Sequence, residues 1–517
     1  MTVLATAALT GLLVAGCVAG PPTGETLDQV RGYVRNAMAE LRIPGAAVVI
    51  VGPKGVELAE GFGKADDQGA PVTPQTPFQI ASLSKELTGI AVMQLVDSGD
   101  LALDATVHSY VGWFGAPGSD TAKITVRNLL AHTSGWTETD GLVNRTDHGT
   151  DPGALERNVR RLAATPPSHP IGQFEYSNAN YDVLGYLVQF VSGQPYEEYM
   201  ADHVFGPLKM THTFTDEAAS RADGLAQGHY PFFGFPIAWD IGFVRGSLPS
   251  AYIASSAEDL GHVLIAHLNR GTYEGTAVLS PEATALLHAP LVHPDTWSGY
   301  GWGWFSFPLW NAGHLIDPAP SADLSSYQVP IVLEHTGSHI TYAGGMALLL
   351  ERRLGVVILM NTDDAAAPSR ISQLDTGIAQ ILLGAGAPPI TSYDEPVRQY
   401  GKTALVLTLI LMVIGILAAG WRIRRWNGNP ASAPRGRLGA LLHVALPLIV
   451  DLGVPLLAWF LVLDAGNLAL GDFFSILVPN APDVALALVV ITVIGIAWAA
   501  IRTTQTVRLL RMPGASA

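Results

Sequence analysis

Apolar positions along the chain fall into three kinds of pattern. Thr26 to Leu41 carries apolar residues at helical spacing, which predicts an amphipathic helix. Two β-rich segments follow, Ala46–Val51 and Val56–Phe62, separated by the turn Gly52-Pro53-Lys54-Gly55. Two more apolar strands, Gly345–Leu350 and Gly355–Asn361, flank Glu351-Arg352-Arg353, and a helix from about Arg370 to Leu383 closes the region. Between them, from about residue 85 to 330, the pattern is helical with long Gly/Pro/Asn loops. Strands at both ends with helices between predict a sheet assembled from distant parts of the chain and backed by helices, an α/β (α+β) arrangement. One helix in this region begins after Phe78-Gln79-Ile80-Ala81-Ser82-Leu83-Ser84-Lys85. Its apolar positions are Leu87, Ile90, Ala91 and Leu95, and Gly99 is placed to end it in the left-handed conformation.

The pattern changes after residue 386. A polar linker, 386–402, leads into three near-continuous apolar runs, Thr403–Gly420, Leu438–Leu463 and Val484–Ile501, each long enough to span a bilayer at 1.5 Å per residue. Arg422, Arg424, Arg425, Arg435 and Arg437 lie between the first two runs, and Arg502, Arg508 and Arg511 follow the third; the remaining loop has Asp464 and Asp472 and no basic residue. The positive-inside rule therefore predicts a cytoplasmic arginine loop and a cytoplasmic tail, 502–517, with everything before the linker outside. Asp451, inside the second run, reads as a helix-packing contact or part of a relay, without a visible basic partner. At the other end, residues 3–16 form an apolar stretch too short to span, ending Leu13-Val14-Ala15-Gly16-Cys17. This is similar to the bacterial lipobox, in which the cysteine is lipidated, although no Lys or Arg precedes the run. The expected organisation is a signal or lipoprotein segment (1–20), an extracytoplasmic domain (25–390), the linker, three membrane helices (403–501) and a tail.

Composition agrees with this division. Charged residues make up only 14% of the 517 and the mean hydropathy is +0.29, which is apolar for a wholly soluble chain. A net charge of −15 argues against a nucleic-acid partner. The single cysteine, Cys17, excludes a disulfide framework and a cysteine-ligated zinc site.

Four short stretches bear on chemistry. Ser82 would stand at a helix N-terminus, where free N–H groups favour developing negative charge, and Lys85 lies three residues on along the same face. A serine beside an amine is a nucleophile with its own base; it is equally a capping serine with a solvated lysine. Leu129-Leu130-Ala131-His132-Thr133-Ser134-Gly135 is a short helix running into a turn. In Phe174-Glu175-Tyr176-Ser177-Asn178, Tyr176 and Asn178 sit two apart on irregular backbone and could face one cavity. In Glu334-His335-Thr336-Gly337-Ser338, small residues would let an exposed strand edge approach a ligand. Taken singly, His132 in a turn, Tyr176 as a half-buried aromatic and His335 as a strand-end residue are ordinary structural features.

Together and in this order, these stretches resemble the serine β-lactamase and penicillin-binding-protein superfamily, closest to the class C β-lactamase branch with its esterases, D-aminopeptidases and DD-peptidases. Ser82-x-x-Lys85 matches S-x-x-K, Tyr176-x-Asn178 matches Y-x-N, and His335-Thr336-Gly337 matches a third motif that is Lys-Thr-Gly in the lactamases and often His-x-Gly in the hydrolases. The resemblance covers roughly residues 26 to 385 and fails beyond. Of the six lysines only Lys85 has a serine three residues before it. No Ser-x-Gly and no H-E-x-x-H occurs, which sets aside the α/β-hydrolase elbow and that zinc motif.

The resemblance implies an antiparallel sheet flanked by helices plus a helical subdomain, and an acyl-enzyme on Ser82 that water hydrolyses. It implies that Lys85 or Tyr176 takes the serine proton, that Asn178 orients the Lys85 amine and the substrate amide, and that the backbone N–H groups of Ser82 and Ser338 hold the oxyanion. Either base would have to shift by about three pKa units to work near pH 7, roughly 4 kcal/mol. No metal or organic cofactor is implied. His335 stands where a lysine would be a fixed cation; a mostly neutral histidine anchors a substrate carboxylate less well. The expectation is therefore a peptide or ester hydrolase, possible substrates including cell-wall peptides, with poor β-lactam turnover. A class C-type β-lactamase and a penicillin-binding sensor or scaffold with little turnover are the alternatives.

Overall fold

The computed structural model describes residues 21–143, 149–295, 298–308, 331–363, 369–390, 396–429, 446–465 and 481–510, with isolated positions 438, 439, 442, 477 and 478. Cys17 and the signal or lipidation reading lie outside the described residues. The strands are β1 (Gly45–Gly52), β2 (Gly55–Gly63), β3 (Pro77–Gln79), β4 (His229–Phe232), β5 (Phe235–Ala238), β6 (Ala254–Ser256), β7 (Thr272–Tyr273), β8 (Thr276–Ala277), β9 (Gly299–Gly301), β10 (Trp304–Pro308), β11 (Ile331–His339), β12 (Tyr342–Leu349) and β13 (Leu354–Met360). The helices used below are α1 (Gly24–Leu41), α2 (Ser84–Asp97), α3 (Val126–Leu130), α4 (Asn178–Ser192), α5 (Ala257–Leu268), α6 (Ser369–Leu382), α7 (Pro396–Gly428), α8 (Leu446–Ala465) and α9 (Pro482–Leu510).

Seven strands form one antiparallel sheet in the order β2-β1-β13-β12-β11-β10-β9. Every residue of β1, β12 and β13 is buried because both faces of the sheet are covered. Alternate residues of β1 go to opposite layers. Ala46, Val48 and Ile50 pack with Val30, Val34, Leu374 and Ile378 of the terminal helices α1 and α6. Ala47, Val49 and Val51 join the larger core with α2, α4 and α5. Period-two alternation thus appears as a continuous apolar run in sequence, since neither face meets water.

Beyond the sheet, α7 begins at Pro396, so the last part of the expected linker is already helical. Two described helices are long and apolar enough to cross a membrane, Lys402–Gly428 and Pro482–Gln505; Asp451–Leu463 is a shorter apolar helical stretch. Asp451, which sequence left without a basic partner, has one: Arg502 Nε lies 2.6 Å from its carboxylate. Arg502 belongs to the long helix α9, which continues past the expected membrane boundary at residue 501.

Candidate active site

The turn that carries Ser82 is built by local strain and close packing. Ser82 lies in a single 3₁₀ turn, Ala81–Leu83, immediately before α2, rather than in the α-helix itself. Ala81 has φ +47°, a conformation costly for a residue with a Cβ and one that concentrates at functional sites. The turn is held from several sides. Leu83 N–H donates to Ile80 O at 3.1 Å, and Ile80 N–H donates to Ile253 O at 3.0 Å. Gly337 of β11 lies against it so closely that a Cβ there would stand 2.2 Å from Ile80 O. α2 ends as its sequence suggested, with Gly99 at φ +84°.

Four of the expected residues converge. Lys85 is fully buried, and its Nζ donates to Ser82 Oγ at 2.9 Å, Asn178 Oδ1 at 2.7 Å and Ser250 O at 2.8 Å. Tyr176 Oη donates to the same Ser82 Oγ at 3.0 Å. Lys85 Nζ also lies 5.0 Å from the centre of the Tyr176 ring. Asn178 opens α4, so its side chain projects from a helix N-terminus and not from irregular backbone.

His335 is buried, with its ring 6.2 Å from that of Tyr176. Its Nδ1 lies 2.7 Å from Thr336 O, so Nδ1 carries the proton. Burial, reinforced by the charge of Lys85, lowers its pKa to about 3. The imidazole is neutral throughout the physiological range. The third motif lies inside β11, a further strand immediately before β12 and β13. The pairing of β10 with β11 runs from Ile331 to Glu334, while that of β12 continues to His339. One edge of β11 is therefore open from His335 onward, which is the exposed edge inferred from sequence. Its glycine makes room for the backbone of Ile80 rather than for a ligand. Thr336 alternates to the face opposite His335 and Gly337. Ser338 follows, its hydroxyl hydrogen-bonded to Asp363.

Sequence reasoning passed over a buried aromatic layer behind Tyr176. His132, noted only within its turn, is fully buried with φ +53°. Its Nδ1 accepts from Ser177 N–H at 3.1 Å and lies 2.8 Å from Asn180 Nδ2. Nε2–H therefore faces Tyr300 Oη at 3.1 Å. The imidazole lies 4.4 Å from the Tyr176 ring, and burial, then the charges of Lys85 and His335, holds its pKa well below the usual value. His132 thus pins the backbone between Tyr176 and Asn178. The signal in sequence was its place between a capped short helix and Gly135; nothing local paired it with Tyr300. Among the described residues no group of three or more His, Cys, Asp or Glu side chains is placed to hold a metal.

A strained serine turn at the head of a buried helix, two proton-active side chains on its hydroxyl and an open sheet edge beside it define the class: a serine hydrolase with a β-lactamase-like α/β fold. The Beta-lactamase family model matches residues 30–375, about two thirds of the chain, and the chain belongs to that family. It is 27% identical over 456 residues to Protein flp of Staphylococcus aureus strain MW2, a match covering 86% of this chain and 85% of that protein. Such a match has to continue beyond the hydrolase region into the first C-terminal helix, which corrects the expectation that the resemblance fails after residue 385. Penicillin-binding protein 4 of Amycolatopsis lactamdurans is 32% identical over 282 residues, 51% of this chain and 71% of that one. Among solved structures, the octameric penicillin-binding protein homologue from Pyrococcus abyssi superposes with a TM-score of 0.56 at 25% identity, covering 69% of this chain and 77% of that one.

Proposed function

We propose that this chain is a membrane-anchored, extracytoplasmic serine hydrolase that acts through an acyl-enzyme on Ser82. The observation that carries the reading is the meeting of Lys85 Nζ and Tyr176 Oη on one hydroxyl, at 2.9 and 3.0 Å. In the proposed cycle Ser82 Oγ attacks the substrate carbonyl and its proton passes to the Lys85–Tyr176 couple, which shares one proton as a unit. The couple returns that proton to the leaving nitrogen or oxygen as the acyl bond to Ser82 forms. Water then attacks the acyl carbon, giving its proton to the couple and releasing the acid, and Ser82 regains its hydrogen. The carbonyl oxygens of Asn178 and Ser250 fix the Lys85 amine. The N–H groups of Ser82 and Ser338 are assigned to the oxyanion, where one lost donor costs about 10²–10³ in rate.

The substrate reading follows from charge. With His132 and His335 both held neutral, Lys85 is, among the described residues, the cation beside Ser82, and it is hydrogen-bonded to Ser82, Asn178 and Ser250. The third motif therefore offers a substrate carboxylate no charged anchor. This supports a peptide or ester substrate, such as a cell-wall peptide, over efficient β-lactam hydrolysis by a class C-type β-lactamase. It also supports turnover over a sensor that traps its ligand, since the nucleophile and its proton acceptors are in contact. Three C-terminal spans (403–501) after the linker, with the arginine-rich loop and tail cytoplasmic, complete the proposal; the apolar helices and the basic loop support it. Cys17 would add a lipid anchor.

The test combines a fluorophosphonate and a fluorescent β-lactam with wild type and Ser82→Ala. Labelling of wild type alone by the fluorophosphonate, together with multiple turnovers of a short ester or D-amino-acid peptide, is expected. Trapping of one equivalent with no turnover of any substrate would favour the sensor, and cephalosporin turnover at the rate of the best substrate would favour the β-lactamase.

A further inference from the structure

The hairpin β4–β5 ties the hydrolase domain to the C-terminal helices through one carboxylate. Asp483, fully buried at the start of α9, accepts from Tyr230 Oη at 2.6 Å and from Phe233 N–H at 2.9 Å, and Lys402 Nζ lies 3.1 Å away. Lys402 also stands over the Tyr230 ring at 5.2 Å. Both long apolar helices begin at this cluster, one at Lys402 and the other at Pro482. Phe233 packs with Leu405, Ala485 and Leu488 in the first turns of those helices. The hairpin turn, Phe233-Gly234, is thus fixed at the level where the apolar segments start.

On its free side the same hairpin shows Phe235 at 63% exposure, with Ile237 and Trp239 at 38% and 36%. Large apolar side chains exposed together mark an interaction surface. Arg42, from the loop after α1, places its guanidinium 4.6 Å from the centre of the Phe235 ring and donates to Gly234 O at 2.9 Å. Aromatic rings beside a guanidinium, at the level where spans begin, match the chemistry of the lipid headgroup layer. There aromatic side chains sit at the apolar boundary and a cation meets phosphate.

We infer that the β4–β5 hairpin is a membrane-seating element, with Phe235, Ile237 and Trp239 in the headgroup layer and Arg42 facing lipid phosphate. Asp483 is its anchor. The seating would fix the orientation of the hydrolase domain towards the bilayer. The inference rests on the membrane reading above, and its test separates the two.

Full-length chain carrying Cys17→Ser, Cys17 being the only native cysteine, is reconstituted in phosphatidylcholine/phosphatidylglycerol nanodiscs. It is labelled with an environment-sensitive fluorophore at one new cysteine. Phe235→Cys tests the hairpin; Leu411→Cys, 67% exposed on α7, tests the span; Ala116→Cys, on an exposed loop of the helical region, is the reference. Retained fluorophosphonate labelling at Ser82 checks that each variant is folded. The expected result is loss of emission at position 235 with headgroup spin labels, loss at 411 with deep acyl-chain spin labels, and no change at 116. Quenching at 411 with position 235 behaving like 116 overturns the seating and leaves the membrane reading intact. No quenching at 411 overturns both.

Discussion

Replacing Gly337 by alanine tests whether the third motif positions the nucleophile turn. The added Cβ would stand 2.2 Å from Ile80 O, whereas ordinary contact needs about 3.5 Å, so roughly 1 Å of movement must be found. The obstacle is backbone that cannot simply rotate aside. Ile80 O accepts Leu83 N–H at 3.1 Å and so closes the turn that carries Ser82. On the other side Gly337 is paired with Gly344 within a covered sheet. The displacement is therefore shared between Ser82 and Ser338, the two proposed oxyanion donors. Overpacking of this kind costs about 1–3 kcal/mol of stability. A 1 Å misplacement of reacting groups costs about 10²-fold in rate, or roughly 2.7 kcal/mol of transition-state stabilisation. The assay is acylation by a fluorophosphonate and hydrolysis of a short ester, alongside thermal unfolding of the full chain in detergent. Gly344→Ala is the control: its Cβ would meet the movable side-chain end of Leu359 first, at 2.7 Å, so stability should fall with a much smaller rate loss. Wild-type rates in Gly337→Ala, or equal rate losses in both variants, would refute the reasoning.

His335→Lys should accelerate acylation by anionic substrates relative to neutral esters, because it puts a cation where a neutral imidazole now stands; an unchanged ratio of the two acylation rates would sink the charge argument. A second expectation concerns pH. Glu334, on the far face of β11, and Asp375 of α6 are both buried, and burial raises Glu334 well above its usual pKa and Asp375 to about 7. Because these pKa values are raised, the folded chain holds protons that the unfolded chain releases. The stabilisation is complete below about pH 4, near the unfolded carboxyl pKa, and is lost as pH rises through about 7. The unfolding temperature of the full chain in detergent should fall between pH 5 and 8 and should flatten in Asp375→Asn; a flat wild-type profile would count against a neutral buried pair.

Much of the fold could be read from sequence because its outer strands and helices carry unbroken local signals. The runs at 46–51 and 355–361 are apolar on both faces, and α1 and α6 have simple amphipathic stripes. Strand order could not be read, because the pairing of β1 with β13 joins residues about 300 positions apart through packing that no local pattern encodes. The site divides in the same way. Ser82, Lys85, Tyr176 and Asn178 were legible as spaced residue types, and the structure brings their polar atoms within 3.0 Å of one another in a chain of contacts. Ser250 was not legible, since it contributes a backbone oxygen, and any residue could supply one. His132 was visible as a letter but not as a support, because its value comes from being buried, neutral and bonded to Ser177 N–H.

The same distinction explains the charges in the C-terminal helices. Arg502 was counted as a tail cation and Asp451 as an orphan, because a boundary drawn by hydropathy ended the third apolar run at residue 501. A helix does not end where hydropathy does: α9 continues to Leu510, and Arg502 remains on it within 2.6 Å of Asp451. Asp483 was likewise an unremarked acidic residue at the head of an apolar run. Its partners, Tyr230 and Phe233, lie about 250 residues away in a hairpin that sequence reading placed among loops. A buried carboxylate with an ammonium and two further donors is costly to break, because removing its partners would leave a desolvated charge. That asymmetry argues for a fixed junction between the hydrolase domain and its C-terminal apolar helices. In the proposed seating, Asp483 is the contact through which the C-terminal helices orient the hydrolase domain.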